Sequence, residues 1–310
     1  MKIVFMGTPG AAAASLEKIL RAGHEIVAVY TQPDKPAGRG NKLTASPVKE
    51  FAVQNNLPIF QPDKIKTSEA SEIFKSHQAD VAVVVAYGRI LPPVFLAAVP
   101  KGAINVHCSL LPKYRGAAPV NWAIVNGETK TGVMTMRMDA GLDTGGIFLR
   151  REIEIGTDEN AIELMRKLST LGADLLAETL SKFDELNVEP QDDSQATFAP
   201  ILKKEDGVID WNLTATEIKN RVRGFQPFPT SFTFYQNKKL TIWKAREMEN
   251  EKWKMENCGK VLEAKGDNLI IGCGNQTILK IEELQLEGKK RMATRDFLNG
   301  IKLQPGENLG

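Results

Sequence analysis

The run Val81-Ala82-Val83-Val84-Val85-Ala86 has no polar side chain in six positions. Successive strand residues point to opposite faces, so a strand of this composition is buried on both. Sheets achieve that when helices cover both sides, as in parallel α/β folds. The neighbouring segments supply the helices. Residues 47–55 and 68–78 have helical patterning, and Lys2 to Met6 closes on Gly7-Thr8-Pro9-Gly10 before residues 11–22, where Leu16, Ile19 and Leu20 share one stripe. Strands are predicted at 26–30 and 103–107, and at 131–138 with 147–155 as its partner; helices are predicted at 117–126 and from Thr157-Asp158-Glu159 to Leu186. Strands alternating with helices predict an α/β fold, a Rossmann-like doubly wound parallel sheet.

From Glu189 the texture changes: Glu-Pro-Gln-Asp-Asp-Ser-Gln is polar and without period, with prolines at 190 and 200. The expected organisation is a first domain over 1–189, a linker over 190–206 and a second domain over 207–310. Short strands at 231–235, 240–243, 260–264, 268–273 and 278–285 predict that the second domain is a small, OB-like β-barrel. Phe225, Phe228, Phe232, Phe234 and Trp243 are expected in its core. With 42% hydrophobic and 25% charged residues in 310, the chain can bury a core, and a net charge of +2 excludes a polyionic tail protein. The three cysteines form no C-x-x-C pair, which argues against a disulfide framework, a zinc site or another metal site and favours a reducing compartment. Met1 to Gly7 lacks the pattern of a signal peptide, and no apolar run spans a membrane; the expected location is cytoplasmic.

In Ala103-Ile104-Asn105-Val106-His107, Asn105 and His107 share one face at a strand's carboxyl end, where open α/β sheets bind ligands. Asn can donate to a developing oxyanion, and His can donate or move a proton. Either can also do no more than satisfy backbone groups. Downstream, Met138-Asp139-Ala140-Gly141-Leu142-Asp143-Thr144-Gly145-Gly146 is a glycine-rich turn carrying two carboxylates. Asp139 or Asp143 can close an Asx-turn or stand beside His107, and turn chemistry alone leaves both open.

Asn105-Val106-His107-Cys108-Ser109-Leu110-Leu111-Pro112-Lys113-Tyr114-Arg115-Gly116-Ala117-Ala118-Pro119, with Asp143-Thr144-Gly145, resembles the folate-dependent formyltransferase family. Met6-Gly7-Thr8-Pro9, Ala86-Tyr87-Gly88-Arg89-Ile90-Leu91-Pro92 and Lys204-Glu205-Asp206-Gly207-Val208-Ile209-Asp210-Trp211 carry the resemblance along the chain. It implies that Asn105, His107 and Asp143 are catalytic. It also implies 10-formyltetrahydrofolate as formyl donor, held by Ser109, Leu110, Leu111 and Pro112 and by Tyr87, Gly88, Ile90 and Leu91. The implied acceptor is initiator methionyl-tRNA, and the implied state a monomer. An amino sugar nucleotide is the rival acceptor within the family.

Between Asp34 and Lys49, four cations face one acid, a balance suited to phosphate. The resemblance directs this loop, with Lys35, Arg39 and Lys42, toward the tRNA acceptor stem. One departure is Gly10-Ala11-Ala12-Ala13-Ala14, where the family has an acid and an aromatic; a cap worth about 1 kcal/mol is expected to be missing.

Overall fold

A computed structural model of the chain describes residues 1–37, 42–250, 253 and 258–310. In chain order its elements begin β1 (Lys2–Gly7), α1 (Gly10–Arg21), β2 (Glu25–Tyr30), β3 (Lys35–Ala37), β4 (Lys42–Thr44), α2 (Pro47–Gln54) and β5 (Ile59–Phe60). They continue with α3 (Ser68–Ser76), β6 (Val81–Val85), α4 (Pro93–Leu96), β7 (Ala103–His107), β8 (Arg115–Gly116) and α5 (Pro119–Val125). Then come β9 (Lys130–Arg137), β10 (Ile147–Glu154), α6 (Ala161–Ser181), β11 (Phe198–Ala199) and α7 (Ala215–Gly224). The last are β12 (Ser231–Tyr235), β13 (Lys238–Met248), β14 (Val261–Lys265), β15 (Asn268–Gly272), β16 (Ile278–Leu286), β17 (Met292–Ala293) and α8 (Thr294–Gly300).

The chain forms two compact units. One comprises Met1–Gly116, Lys130–Ile153 and Met165–Phe198; the other comprises Ala117–Thr129, Glu154–Leu164 and Ala199–Gly310. In the first, seven strands run in the order β10-β9-β7-β6-β1-β2-β5. From β5 through β7 the pairings are parallel, and β9 then joins β7 antiparallel, so the sheet is mixed rather than wholly parallel. All five residues of β6 are buried, each large side chain contributing about 1.5–3 kcal/mol.

The chain leaves β1 toward β2 on one side and returns to β6 on the other, which places the switch in strand order between β1 and β6. Backbones approach closely there: a Cβ on Gly7 would lie 2.6 Å from the Ala12 Cβ and 2.9 Å from the Val85 carbonyl oxygen. The helix that follows has Pro9 at its N-cap, no side-chain cap and no acid in its first turn, as the Gly10–Ala14 segment predicts. Its stability therefore comes from packing, with Ala12, Leu16 and Ile19 buried.

The second unit holds a six-stranded sheet in the order β12-β13-β16-β15-β14, with β17 beside β16. Its core includes Trp211, Ile218, Val222, Tyr235, Ile242, Leu279 and Leu309. Among the described residues no ladder joins β12 to β14, so the sheet is open where a closed barrel was expected. The last residues lie along both edges instead: the Leu309 N–H donates to the Gly259 oxygen and the Gly310 N–H to the Phe234 oxygen, each at 3.0 Å.

The aromatic residues expected in this core divide. Phe225 is fully buried, but Phe234 is 43% and Phe228 48% exposed, and Phe232 and Trp243 are half-buried. Alternation along β12 is the reason: Ser231, Thr233 and Tyr235 take the buried face and leave Phe232 and Phe234 on the other.

Candidate active site

His107 ends β7, 6% exposed. Its Nε2 lies 2.9 Å from the Tyr114 carbonyl oxygen, and its Nδ1 lies 3.7 Å from Asp143 Oδ2. A ring bonded to a carbonyl at Nε2 carries its proton there, which turns Nδ1 toward the carboxylate. Asn105, two residues back on the same face, is half-buried, and its side chain makes no hydrogen bond among the described residues. Its amide is thus available to a ligand.

The glycine-rich turn separates its two acids. Asp139 Oδ1 accepts from the Gly141 N–H at 2.9 Å and from the Thr144 hydroxyl at 2.7 Å, which makes it the Asx-turn residue. Asp143, at a φ of 53°, accepts the Gly116 N–H at 2.9 Å on the oxygen that faces His107. The left-handed backbone, tolerated by Asp, aims the carboxylate.

Behind this turn stands Gln191, whose amide nitrogen donates to the Asp143 oxygen at 2.9 Å and the Gly145 oxygen at 2.7 Å. Its Oε1 accepts from Arg115 Nε at 3.2 Å and Nη2 at 2.7 Å. Arg115, 4% exposed, also donates to Asp193 at 2.6 Å. Sequence reasoning missed Gln191, because nothing in a polar, proline-flanked stretch marks one amide as inward-facing.

The residues expected around the donor divide by depth. Ser109 is buried, its hydroxyl donating to the Lys113 oxygen at 2.6 Å, and Leu111 packs with Met134, Met136 and Ile147. These two shape the loop from within, whereas Leu110 and Pro112 are half-buried. Tyr87 is 2% exposed in the core, and burial raises its phenol pKa. Gly88 and Ile90 are exposed, and Ile90, Leu91 and Pro92 line a cleft of about 440 Å³ with Lys66, Val94 and Ala140. The cleft's loop is moored to β1 and β2: the Tyr87 oxygen accepts from the Thr8 hydroxyl at 3.2 Å and from Gln32 Nε2 at 3.0 Å.

Cys108 follows His107, and desolvation pushes its thiol up to about 11. The thiol therefore keeps its proton at neutral pH and is no competing nucleophile.

The basic loop is a ribbon, β3 paired antiparallel with β4, bearing Lys35 and Lys42 exposed. Arg39 lies outside the described residues. Lys49 is not a free cation: it pairs with Asp34 at 2.6 Å, and Asp34 also accepts from Gln61 at 2.8 Å. In the second unit Arg223 donates to the carbonyls of Gly156 and Glu159, and burial lowers its pKa, so it ties its own unit together. Lys239 lies 3.9 Å above the Phe232 ring, and Arg291 lies 5.0 Å from that of Trp243.

His107 and Asp143 meet at the carboxyl end of β7, with Asn105 two residues back on the same face of that strand, one strand beyond the switch point of an α/β sheet. Residues 1–180 match the family model described as formyl transferase and residues 201–302 that of the formyl transferase C-terminal domain; the chain belongs to the formyl transferase family. Among its relatives, the methionyl-tRNA formyltransferase of Alkaliphilus oremlandii is 49% identical, with 100% of both chains covered. That of Geobacter sulfurreducens is 46% identical, with 100% of this chain and 97% of the relative covered. Solved structures share the fold. The N-formyltransferase from Helicobacter canadensis, in complex with folinic acid and dTDP-3-aminofucose, has a TM-score of 0.68 at 19% identity, covering 91% of this chain and 98% of that one. HypX from Aquifex aeolicus with tetrahydrofolic acid has a TM-score of 0.64 at 14% identity, covering 100% of this chain and 50% of that one.

Proposed function

We propose that this enzyme transfers the formyl group of 10-formyltetrahydrofolate to the α-amino group of methionine on initiator methionyl-tRNA. The observation that carries the reading is the convergence of Asn105, His107 and Asp143, in a chain 49% identical over its whole length to a methionyl-tRNA formyltransferase. The amine attacks the formyl carbon and negative charge develops on the formyl oxygen. The Asn105 amide stabilises that oxygen, and one such donor matters by about 10²–10³ in rate; the His107 ring joins it when Nε2 exchanges the Tyr114 carbonyl, 2.9 Å away, for the formyl oxygen. Asp143 faces the ring and passes the attacking amine's proton toward N10 of the departing folate. An α-amino group with a pKa of about 7.7–8.0 is partly neutral at pH 7, so the site needs no strong base.

The donor lies against Gly88, Ile90, Leu91, Leu110 and Pro112, while Tyr87, Ser109 and Leu111 shape that surface from behind. Residues 1–189 serve as the catalytic domain, 190–206 as a linker and 207–310, with its open six-stranded sheet, as the tRNA-binding domain. Lys35, Arg39 and Lys42 meet the acceptor stem. The outward Phe232, Phe234 and Trp243, with Lys239 and Arg291, form the mixed aromatic and cationic face that suits RNA. The enzyme acts as a cytoplasmic monomer.

The test is formyl transfer from 10-formyltetrahydrofolate to charged initiator tRNA, charged elongator tRNA and an amino sugar nucleotide under identical salt. Preferential formylation of the initiator is expected. Transfer to the sugar nucleotide alone would overturn the acceptor and leave the trio standing.

A further inference from the structure

We propose that Gln191, backed by Arg115, is a positioning residue for formyl transfer, holding the Asp143 carboxylate at His107 by clamping the backbone on both sides of Thr144. The proposal rests on the catalytic assignment of Asp143 made above. Arg115 has donors only, so its fork toward Oε1 settles which way the Gln191 amide faces. Both N–H groups are thereby turned to the turn, one to the Asp143 carbonyl and one to the Gly145 carbonyl.

Asp143 sits at a φ of 53°, a left-handed backbone that Asp tolerates at some cost, and the clamp adds to what holds it there. Its other restraint is the Gly116 N–H on the same carboxylate oxygen that faces the ring. Arg115 and Gly116 are consecutive, so β8 restrains the carboxylate directly through Gly116 and the turn indirectly through Arg115 and Gln191. Asp193 completes the guanidinium's partners at 2.6 Å from Nη2. A carboxylate displaced by about 1 Å loses on the order of 10² in rate.

Gln191→Glu tests this, because it keeps an acceptor toward Arg115 and replaces the donating nitrogen with an oxygen facing two carbonyl oxygens. Gln191→Met, similar in length and without hydrogen bonds, is the second variant if the first does not fold. Single-turnover transfer is measured for each in the natural background and with Asp143→Asn, together with KM for donor and acceptor. The expected result is a 10- to 100-fold loss in kcat with both KM values within threefold, shrinking to twofold or less when Asp143→Asn is present. Natural kcat in the Gln191 variants, or the same fold-loss in both backgrounds, would overturn the positioning role. If Asp143→Asn alone keeps the natural rate, it is the catalytic assignment that fails.

Discussion

Asp143 Oδ2 stands 3.7 Å from His107 Nδ1, a separation set from the carboxylate side by a glycine-rich turn. Gly145 makes that turn possible, since a Cβ there would fall 1.7 Å from the Arg137 carbonyl oxygen, and backbone cannot step aside cheaply. Gly145→Ala is therefore expected to destabilise the protein by about 1–3 kcal/mol through overpacking and to lower turnover by more than the unfolded fraction explains. Urea unfolding alongside single-turnover kinetics checks this. Gly300→Ala, with open space around its Cβ, is the control that changes neither.

The ribbon and its base make a second contrast. Lys35 and Lys42 are exposed, whereas Lys49 is committed to Asp34, whose pKa that bond lowers. Replacing Lys35 and Lys42 by Ala should raise KM for charged tRNA and reduce the salt slope of tRNA binding by about 1 per residue, leaving donor KM unchanged. Arg39→Ala should act in the same direction. Lys49→Ala should leave the salt slope alone; a slope change equal to that of Lys35→Ala would contradict the distinction.

Cys108 adjoins His107 in the chain, and burial sets its thiol apart. With the thiol pushed from 9 to about 11, roughly one molecule in a thousand carries thiolate at pH 8. Cys108→Ala should keep turnover within threefold. Alkylation of Cys108 by iodoacetamide should be slow at pH 8 and accelerate about tenfold per pH unit up to pH 10. Rapid alkylation at pH 7 would show that the thiol is not held protonated.

The sheet was legible because β6 is buried on both faces, and the placement of Asn105 and His107 on one face because residues two apart in a strand point the same way. Asp143 could not be told from Asp139 in sequence: both are acids in a turn, and only the turn's three-dimensional course decides which one closes the Asx-turn. Gln191 was invisible for a related reason, since its partners at 115, 143 and 145 are distant in the chain. In β12 alternation outweighs hydrophobicity: with Ser231, Thr233 and Tyr235 inward, the period of two places Phe232 and Phe234 outside.

Single-turnover formylation of charged initiator tRNA is the direct measure of whether Asn105, His107 and Asp143 perform the transfer. Asn105→Ala, His107→Ala and Asp143→Asn are each compared with the natural protein at saturating 10-formyltetrahydrofolate, with donor affinity measured in parallel. The account predicts losses of about 10²–10³ or more in the transfer step for each, with donor affinity within threefold. A rate matching the natural protein in any one of them would contradict that residue's place in the mechanism.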